Sequence, residues 1–590
     1  MAAIAAAMIL TGQVSAQDMR ENVTVQYDRI PELRDYEKLN INPRIELSAV
    51  RLSALPYSTR QVKVAVPGTI PTLAPAAYAD SIYTSPYRGY AALGFMPSFN
   101  LGASAGYKIF DTDHTRLNAW MQYDGTSYKG SMMPVTQGED AGKMYVRRNT
   151  ATIGAELHQA VGSESFINAG IDYTYARFSI PEVNDRHNQS AHRFNASAMW
   201  TLDHGDFHYG LGAEYGRFAY VNTDNYTLIP SITSLWENLK VSPARENRVK
   251  AHGFFYGKFA GASAAGMDIA FTYTGYSRLY DYAGDSDRIM LIPYGKPHFS
   301  MLHLHPFYRF DIDRVAIDLG LNIDLRFNSG KMFHITPQAS ATWTPSDIVK
   351  VYATARGGQW ENTLGSLFDI TPYSLPFSSY RNSSIPVEAE AGVTVGLWKG
   401  FYAEISAAYA IANDWLMPET HAIVDNQVLE TPQTVFTAFD FKSLKLTGSI
   451  GYNYRNIVDL KASFEAAPQK LDRGYYLWRD RAKHVASVDL RVTPIKQLDI
   501  DLGWEYRGGR AISYTSLSSD FPLPADQPIA TTKLRNLGSV SNLKAGALYR
   551  ITDRWSAFIR GENLLNRHCF LICGVPAQGI TGLVGATYKF

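Results

Sequence analysis

The first residues that could do chemistry in this sequence are two histidines. His303 and His305 stand two positions apart, so a strand would present both imidazoles on one face, where they could begin a metal site. No third ligand at a suitable spacing is evident in the sequence. We therefore expect ordinary polar residues on a wet strand face, and we predict no metal ion and no cofactor.

Two further groups of metal-binding residue types have simpler explanations. Asp281, Asp285 and Asp287 could offer hard oxygens to calcium, but their spacing does not match an EF-hand loop, so a solvated loop is expected. Cys569 and Cys573 are too few for a disulfide scaffold or a four-cysteine zinc site. An oxidising compartment would permit a small disulfide between them, and the sequence leaves its geometry open.

The sequence lacks the common catalytic motifs. It contains no Gly-x-Ser-x-Gly elbow, no phosphate-binding loop and no His-Glu-x-x-His pair. The glycines of residues 210–216 do not have the spacing of the dinucleotide-binding motif and lie within a strand pattern, where we expect them to relieve crowding. We predict that the protein is not an enzyme.

The composition narrows the class of protein further. Only 19% of the 590 residues are charged, against about 25% in typical soluble domains, and 37 Tyr and 28 Phe make the chain rich in aromatics. The net charge is +1, which predicts no general electrostatic affinity for nucleic acid or an acidic membrane surface. The long uncharged runs 89–107 and 569–588 are interrupted by Pro and several Gly, which disfavours membrane-spanning helices.

The N-terminus has the features of an export signal. A short apolar stretch over residues 2–10 precedes Val14-Ser15-Ala16, a small-x-small pattern that signal peptidase cuts before Gln17. Residues 1–16 are therefore predicted to be a signal peptide. Export and few cysteines together indicate the periplasm or the outer membrane of a Gram-negative cell.

Strict alternation of apolar and polar residues is the strongest structural signal. It runs through Val315–Phe327 and recurs over residues 167–175, 444–455 and 498–507, where aromatics close several of the apolar stripes. Strands with an apolar face ending in Tyr or Trp and an opposite polar face are typical of transmembrane barrels. We predict an all-β fold, an antiparallel outer-membrane barrel of about 22 strands; a periplasmic all-β protein is the alternative.

Loop lengths support a barrel that has two different ends. Tight turns rich in Asp, Gly and Pro alternate with long connections, as short periplasmic turns alternate with long extracellular loops in such barrels. Reading Val435–Tyr454 as a single strand preserves this alternation, and the count is good to about two strands. The long connections are expected over residues 125–148, 221–248, 276–297, 357–387, 413–434 and 508–540.

The C-terminus carries a family resemblance. Arg560-Gly-Glu-Asn-Leu-Leu-Asn-Arg567, a short loop and a last strand ending in Tyr588-Lys-Phe590 resemble the end of TonB-dependent outer-membrane receptors, especially those of Bacteroidetes. The resemblance implies a receptor for nutrient uptake. It implies that Tyr588 and Phe590 form the signal read by the barrel-assembly machinery. It also implies that Asn563 and Asn566 are structural.

The chain departs from this family ahead of the barrel. Residues 17–88 are too few for the family's complete plug domain and are rich in Pro, so we expect an extended periplasmic or lumenal segment before a barrel over residues 89–590. Within it, Glu21–Tyr27 resembles the TonB box, in which Val23, Thr24 and Val25 would pair with TonB as an added strand. An ordinary β-prone stretch is the alternative.

A barrel of this size poses a physical problem, because barrels wider than porins are normally plugged. The N-terminal segment, inward-folding loops, or a separate lipoprotein or periplasmic partner could fill the bore. We expect a nutrient receptor in the outer membrane. The alternatives are a non-transporting platform that assembles such partners, and a passive porin. The expected partners are outer-membrane lipids, the barrel-assembly machinery and TonB, with no nucleic acid.

Overall fold

The structure is a computed structural model that describes residues 86–590 apart from sixteen short gaps. The predicted signal peptide, nearly all of the segment 17–88, and Val23, Thr24 and Val25 lie outside the described residues. The gaps are residues 97–99, 132–142, 182–185, 222–242, 260–262, 284–289, 294–296, 329–330, 375–381, 425–427, 456, 468, 472–481, 518–529, 537 and 571–574.

The described residues form 27 strands and one short helix. No helix among them is both long and apolar enough to cross a membrane. The elements are β1 (Gly89–Met96), β2 (Asn100–Asp111), β3 (Thr115–Ser131), β4 (Lys143–Ala160), β5 (Ser165–Pro181), β6 (Arg186–His204), β7 (Phe207–Tyr220), β8 (Arg245–Phe259), β9 (Ser263–Ser277), β10 (Tyr280–Ala283), β11 (Met290–Pro293), β12 (His298–Ile312), β13 (Val315–Phe327), β14 (Phe333–Ser346), β15 (Val349–Trp360), α1 (Leu364–Ile370), β16 (Ser383–Trp398), β17 (Phe401–Val424), β18 (Val428–Tyr454), β19 (Val458–Ala466), β20 (Gln469–Leu471), β21 (His484–Ile495), β22 (Leu498–Gly508), β23 (Ala511–Leu517), β24 (Ala530–Asn536), β25 (Val540–Arg550), β26 (Trp555–Glu562) and β27 (Thr581–Lys589).

Twenty-two of these strands close into one antiparallel barrel, which confirms the predicted fold class. Each barrel strand pairs with the next along the chain, and β27 pairs with β1 through the register Ala91↔Tyr588 to complete the ring. The other five strands lie outside the ring. β10 and β11 pair with each other, β20 extends the pairing of β18, and β23 and β24 form a hairpin.

The alternating sequence pattern becomes two faces of the barrel wall. On β13, Leu319 and Leu321 are 42% and 47% exposed on the outside, whereas Asp324 on the inward face is 1% exposed. A strand in a barrel turns successive side chains to opposite faces, so one set meets lipid and the other lines the lumen. The predicted apolar and polar faces are confirmed in this strand.

The structure also corrects predicted loops. The connections expected over residues 276–297 and 508–540 contain the β10–β11 and β23–β24 hairpins. Residues 413–434 were expected to be a long connection, but β17 continues to Val424 and β18 begins at Val428. The reason is that the two strands keep pairing beyond the ring, with Trp415 opposite Phe439 and Met417 opposite Thr437 after a bulge. β18 is a single strand, as the loop alternation required. We call the part of this pair beyond residues 413 and 440 the β17–β18 ribbon.

Candidate functional site

A short helix inside the mouth of the barrel is the centre of the candidate site. α1 lies in the long connection between β15 and β16, and its apolar side chains are removed from solvent, with Leu364 0%, Leu367 1% and Phe368 7% exposed. They belong to one apolar cluster that also contains Phe178 of β5 and Phe218 of β7. The connection therefore folds inward, where it packs against the inner wall formed by β5 to β8.

The local sequence explains why a helix forms there. Thr363 is the N-cap: its side chain accepts a hydrogen bond from the Ser366 N–H at 3.0 Å, and the Ser366 hydroxyl accepts one from the Thr363 N–H at 2.9 Å. This reciprocal capping satisfies donors that a helix start otherwise leaves free. Leu364, Leu367 and Phe368 follow at helical spacing, so they share one face. That face is the one buried in the cluster.

Aromatic rings join α1 to the wall. The Phe368 ring lies with its centroid 5.1 Å from Phe218, 5.7 Å from Phe178 and 6.1 Å from Tyr220. The tilted and edge-on arrangements are those that aromatic pairs prefer. Phe178 and Phe218 stand on β5 and β7, several strands away from β15 along the ring, so these contacts tie the connection to another part of the wall.

Charged groups hold the two ends of the helix. Arg193 of β6 donates to the Asp369 carboxylate at 2.7 Å and to the Gly365 carbonyl at 2.9 Å. At the other end, Glu246 of β8 accepts a hydrogen bond from the Leu364 N–H at 2.5 Å. Charge-assisted hydrogen bonds are stronger than neutral ones. We call Arg193, Glu246 and their partners on α1 the polar clamp.

A second set of contacts fixes the chain just before the helix. Arg248 of β8 pairs with Glu361 at 3.0 Å, and the Tyr276 hydroxyl donates to the Asn362 carbonyl at 3.3 Å. The Asn362 side chain donates to the Ser383 hydroxyl at 2.9 Å, which ties the start of the connection to its end. The approach to α1 is thus bonded on both sides.

The β17–β18 ribbon and the last long loop complete the closure. Leu416 and Phe436 of the ribbon and Val575 of the loop before β27 are buried in the same apolar cluster as α1. The Tyr128 hydroxyl of β3 donates to the Pro576 carbonyl at 2.8 Å. Within the described part of the chain, inward-folding loops fill part of the mouth, and such loops were one of the three candidates that the sequence left open.

The two histidines take separate partners on the lumen face of β12. His303 Nδ1 lies 2.6 Å from an oxygen of Asp324, and His305 Nδ1 lies 3.3 Å from the Leu321 carbonyl oxygen. In the part of the chain that the structure describes, no group of three or more His, Cys, Asp or Glu could hold a metal ion. Asp281 lies in β10, whereas Asp285 and Asp287 fall outside the described residues.

The glycines of β7 have the expected steric role. A Cβ added to Gly210 would lie 2.3 Å from the Phe254 ring, and one added to Gly212 would lie 2.7 Å from the His252 ring. Both distances are shorter than real Cβ contacts, so a larger residue at either position would displace the side chains packed over it. The prediction of relieved crowding is confirmed here.

The C-terminal motif forms a tight structural turn. Asn563 and Asn566 have positive φ values of 49° and 47°, which Asn adopts more readily than most residues. The Asn563 amide donates to the Arg567 and Gln578 carbonyls at 3.1 and 2.9 Å, while its oxygen accepts from the Arg567 N–H at 3.0 Å. These contacts hold the turn between β26 and β27.

The two residues of the predicted assembly signal lie at the seam of the barrel. The Phe590 carbonyl accepts hydrogen bonds from the Arg88 and Gly89 N–H groups at 2.8 and 3.0 Å. The ring of Tyr588 lies 4.7 Å from Trp555, centroid to centroid. Recognition by the assembly machinery stays a prediction. Cys569 is a free, buried thiol, and Cys573 lies outside the described residues.

Sequence reasoning missed α1. Its signal was present in Thr363, Ser366 and the apolar spacing of Leu364, Leu367 and Phe368, but it is only one short helical segment within a long connection. Isolated helices of this length are unstable in water, so the segment is helical because the inner wall buries it.

Comparisons with known proteins identify the architecture. No family model matches the chain, and no curated protein matches its sequence. Among solved structures, the siderophore receptor PirA from Acinetobacter baumannii has a TM-score of 0.62 at 12% identity, covering 85% of this chain and 80% of that one. The ferripyoverdine receptor of the Pseudomonas aeruginosa outer membrane has a TM-score of 0.59 at 11% identity, covering 86% and 72%. The FrpB iron transporter from Neisseria meningitidis has a TM-score of 0.59 at 12% identity, covering 85% and 81%. This chain therefore has the fold of outer-membrane receptor barrels.

Proposed function

We propose that the protein is a receptor in the outer membrane of a Gram-negative cell that binds a nutrient outside and admits it through a gated barrel. The role is one of binding and transport, without catalysis. The observation that carries the proposal is the packing of α1 inside the mouth of a wide barrel, where an apolar cluster and the polar clamp hold it. We infer that a ligand passing this side of the mouth displaces α1.

The closure favours a gated receptor over a passive porin. A 22-strand barrel encloses more space than porins, whose narrower bores already conduct water and solutes. In this chain the mouth is occupied by buried apolar residues that include Leu364 and Phe436. Opening it exposes apolar surface and separates charge pairs, so spontaneous leakage is disfavoured.

Complexes of iron with siderophores are the ligands to test first. The similar structures are named as a siderophore receptor, a ferripyoverdine receptor and an iron transporter, and this chain shares their fold at low sequence identity. Coupling to TonB would use residues 21–27. The incomplete plug stays a prediction about residues outside the described part of the chain.

The test is growth on iron supplied as different siderophore complexes, with a matched pair of variants in the predicted TonB box. V25P removes a backbone N–H and blocks strand pairing, whereas V25T keeps a β-branched side chain. We expect V25P to abolish growth on the transported complex and V25T to retain it. Crosslinking to TonB should be lost in V25P alone.

Two outcomes would redirect the proposal. If V25P grows and crosslinks like the unmodified protein, and a lipoprotein or periplasmic protein copurifies from native membranes, the barrel is an assembly platform. If the purified protein conducts steadily in planar bilayers without added ligand, it is a porin. If the purified protein does not conduct without added ligand and V25P fails to grow, the results support the receptor function.

A further inference from the structure

Six neighbouring strands carry only positive charge on their outer face. Exposed apolar side chains show which face of each strand points outward: Ile153, Ile171 and Leu211 are 56%, 55% and 64% exposed. Because side chains alternate along a strand, every second residue counted from these lies on the same outer face of β3 to β8. No Asp or Glu occupies an outward position in these six described strands. Their carboxylates, among them Glu156 and Glu214, face the lumen. Lys129, Arg147, Arg177, Arg217 and Arg245 face outward.

Tyrosines show where these cations lie along the barrel axis relative to the membrane. Arg177 follows Tyr175 on the outer face of β5, and Arg217 follows Tyr215 on β7, above stripes of lipid-facing apolar residues. Tyrosine is enriched where hydrocarbon meets the polar layer of a membrane. The next outward residue towards the long loops therefore lies among lipid headgroups.

Hydrogen bonds of the tyrosine hydroxyls support this boundary. The Tyr175 hydroxyl lies 3.1 Å from the Ser190 hydroxyl, and the Tyr215 hydroxyl donates to the Asn247 amide oxygen at 3.0 Å. On β4, the Tyr145 hydroxyl lies 2.6 Å from the Ser127 hydroxyl. Each ring thus directs its polar atom to a polar neighbour on the adjacent strand.

Strand register brings the cations together. Ser127 is opposite Arg147, and Lys129 is opposite Tyr145, so Lys129 and Arg147 are diagonal neighbours on one face. Such diagonal pairs lie about 7–8 Å apart. Arg177 is opposite Asn149, which makes it the diagonal neighbour of Arg147. Lys129, Arg147 and Arg177 therefore form a continuous line of cations, which we call the basic row.

Arg217 and Arg245 form a second, shorter group. Arg217 is opposite Asn247 and Arg245 is opposite Ala219, so the two arginines are also diagonal neighbours. Like charges at this distance repel unless an anion lies between them.

The cations of the basic row are open to their surroundings. Lys129, Arg147 and Arg177 are exposed, and none makes an ion pair within the described residues. The lumen arginines behave differently: Arg193 pairs with Asp369 and Arg248 with Glu361. A row of cations without carboxylates at headgroup level is complementary to an anionic headgroup.

We propose that the basic row, with Arg217 and Arg245 beside it, binds the phosphate groups of an outer-leaflet glycolipid of the lipid A type. Guanidinium groups match phosphate through paired hydrogen bonds, and the acyl chains of the same molecule would lie on the apolar stripes below. The net charge of +1 conceals this site because it sums the whole chain, whereas the carboxylates of these six strands face the lumen. The proposal rests on the proposed outer-membrane location but not on the receptor role.

The test is native mass spectrometry of the purified full-length protein in detergent, titrated with diphosphorylated lipid A and with its dephosphorylated form. The variant is R147Q/R177Q/R217Q. Because each basic residue near an anionic surface contributes about 1 kcal/mol, we expect affinity for the phosphorylated lipid to fall roughly 100-fold. The dephosphorylated form should bind weakly to both proteins, and inorganic phosphate should not compete.

Two matched variants keep the result interpretable. K258Q/K496Q/R554Q removes three exposed cations near the short turns and should bind like the unmodified protein. R147K/R177K/R217K keeps the charge and should retain most of the affinity, which separates charge from folding. Equal binding of both lipid forms, or an unchanged affinity in the glutamine variant, would overturn the proposal. If V25P grows like the unmodified protein while lipid binding is as expected, the receptor role alone is contradicted.

Discussion

Arg193 and Asp369 form an ion pair across the mouth of the barrel although they lie 176 residues apart in the chain. The guanidinium group lies 2.7 Å from the carboxylate, and the same nitrogen reaches the Gly365 carbonyl at 2.9 Å. The Arg193 guanidinium also lies over the Phe218 ring, 5.8 Å from its centroid. One side chain on β6 thus bonds to α1 and contacts the apolar cluster beneath it.

Removing this side chain should loosen the closure. In R193A we expect α1 to lose about 1–2 kcal/mol of the free energy that holds it in place, since the pair is about one third exposed. Brief channel openings in planar bilayers should become more frequent, while the barrel still folds.

The control for this variant is R491A. Arg491 and Asp501 form a pair with a similar distance of 2.6 Å and similar exposure, away from α1. R491A should leave the channel silent. If both variants opened the channel equally, general loss of lumen charge would be the cause. The proposed role of α1 in blocking the channel would then be contradicted.

A disulfide can test whether α1 must move. A Cβ added to Gly365 lies 3.8 Å from the Phe218 Cβ, which is the usual Cβ separation in a disulfide. In a background lacking Cys569 and Cys573, oxidised G365C/F218C should lose uptake by at least about tenfold, and reduction should restore it. The measurement is transport of the labelled iron complex.

The single variants G365C and F218C control for loss of packing. Phe218 is buried, so its removal alone is expected to weaken the cluster. Neither single variant should respond to the oxidant. Unimpaired uptake through the crosslinked protein would show that ligand passes without displacement of α1.

The Cys569 thiol should react slowly. Burial raises the pKa of Cys569, and the nearby Arg510 and Arg507 only partly oppose this shift. A raised pKa leaves less of the reactive thiolate at neutral pH, and the rate should rise as the pH increases. In a C573S variant, we expect maleimide labelling roughly tenfold or more slower in the folded than in the denatured protein.

Because the neutral thiol is the favoured form in the folded state, its stabilising effect is present below the pKa of the unfolded thiol. It is lost as the pH rises through the higher pKa of the folded state. The C573S variant should therefore lose stability at alkaline pH more than C569S/C573S. Identical alkaline profiles, or fast labelling in the folded state, would contradict the buried position.

The ring of Phe590 should matter for assembly more than for stability. It lies 6.1 Å from Tyr107 and 6.0 Å from Tyr588, centroid to centroid, while its backbone bonds to β1. F590A keeps the backbone and removes the ring. We expect several-fold less barrel in the outer membrane, with an unchanged melting temperature for the fraction that assembles.

The neighbouring variant K589A is the control for position. It should assemble at the normal level because the predicted signal consists of Tyr588 and Phe590. If F590A assembled normally, these residues would contribute only to the barrel seam.

The barrel itself was predictable because its signal is local. Alternation over Val315–Phe327 requires only that one face meets lipid and the other the lumen, whatever the neighbouring strand. The count of 22 strands and the single strand over residues 435–454 followed from loop alternation and are confirmed. The error at residues 413–434 arose where two strands continue beyond the membrane, since no lipid imposes an alternation there.

The sequence by itself determined the wall: the number of strands, their two faces and the difference between the two ends. Only the tertiary structure decided what folds into the mouth, because α1 is too short to be stable alone and depends on Phe178, Arg193 and Glu246 from distant strands. The basic row also exists only through the tertiary structure. Its cations are spread over residues 129–177, and only strand register makes Lys129, Arg147 and Arg177 neighbours on one face.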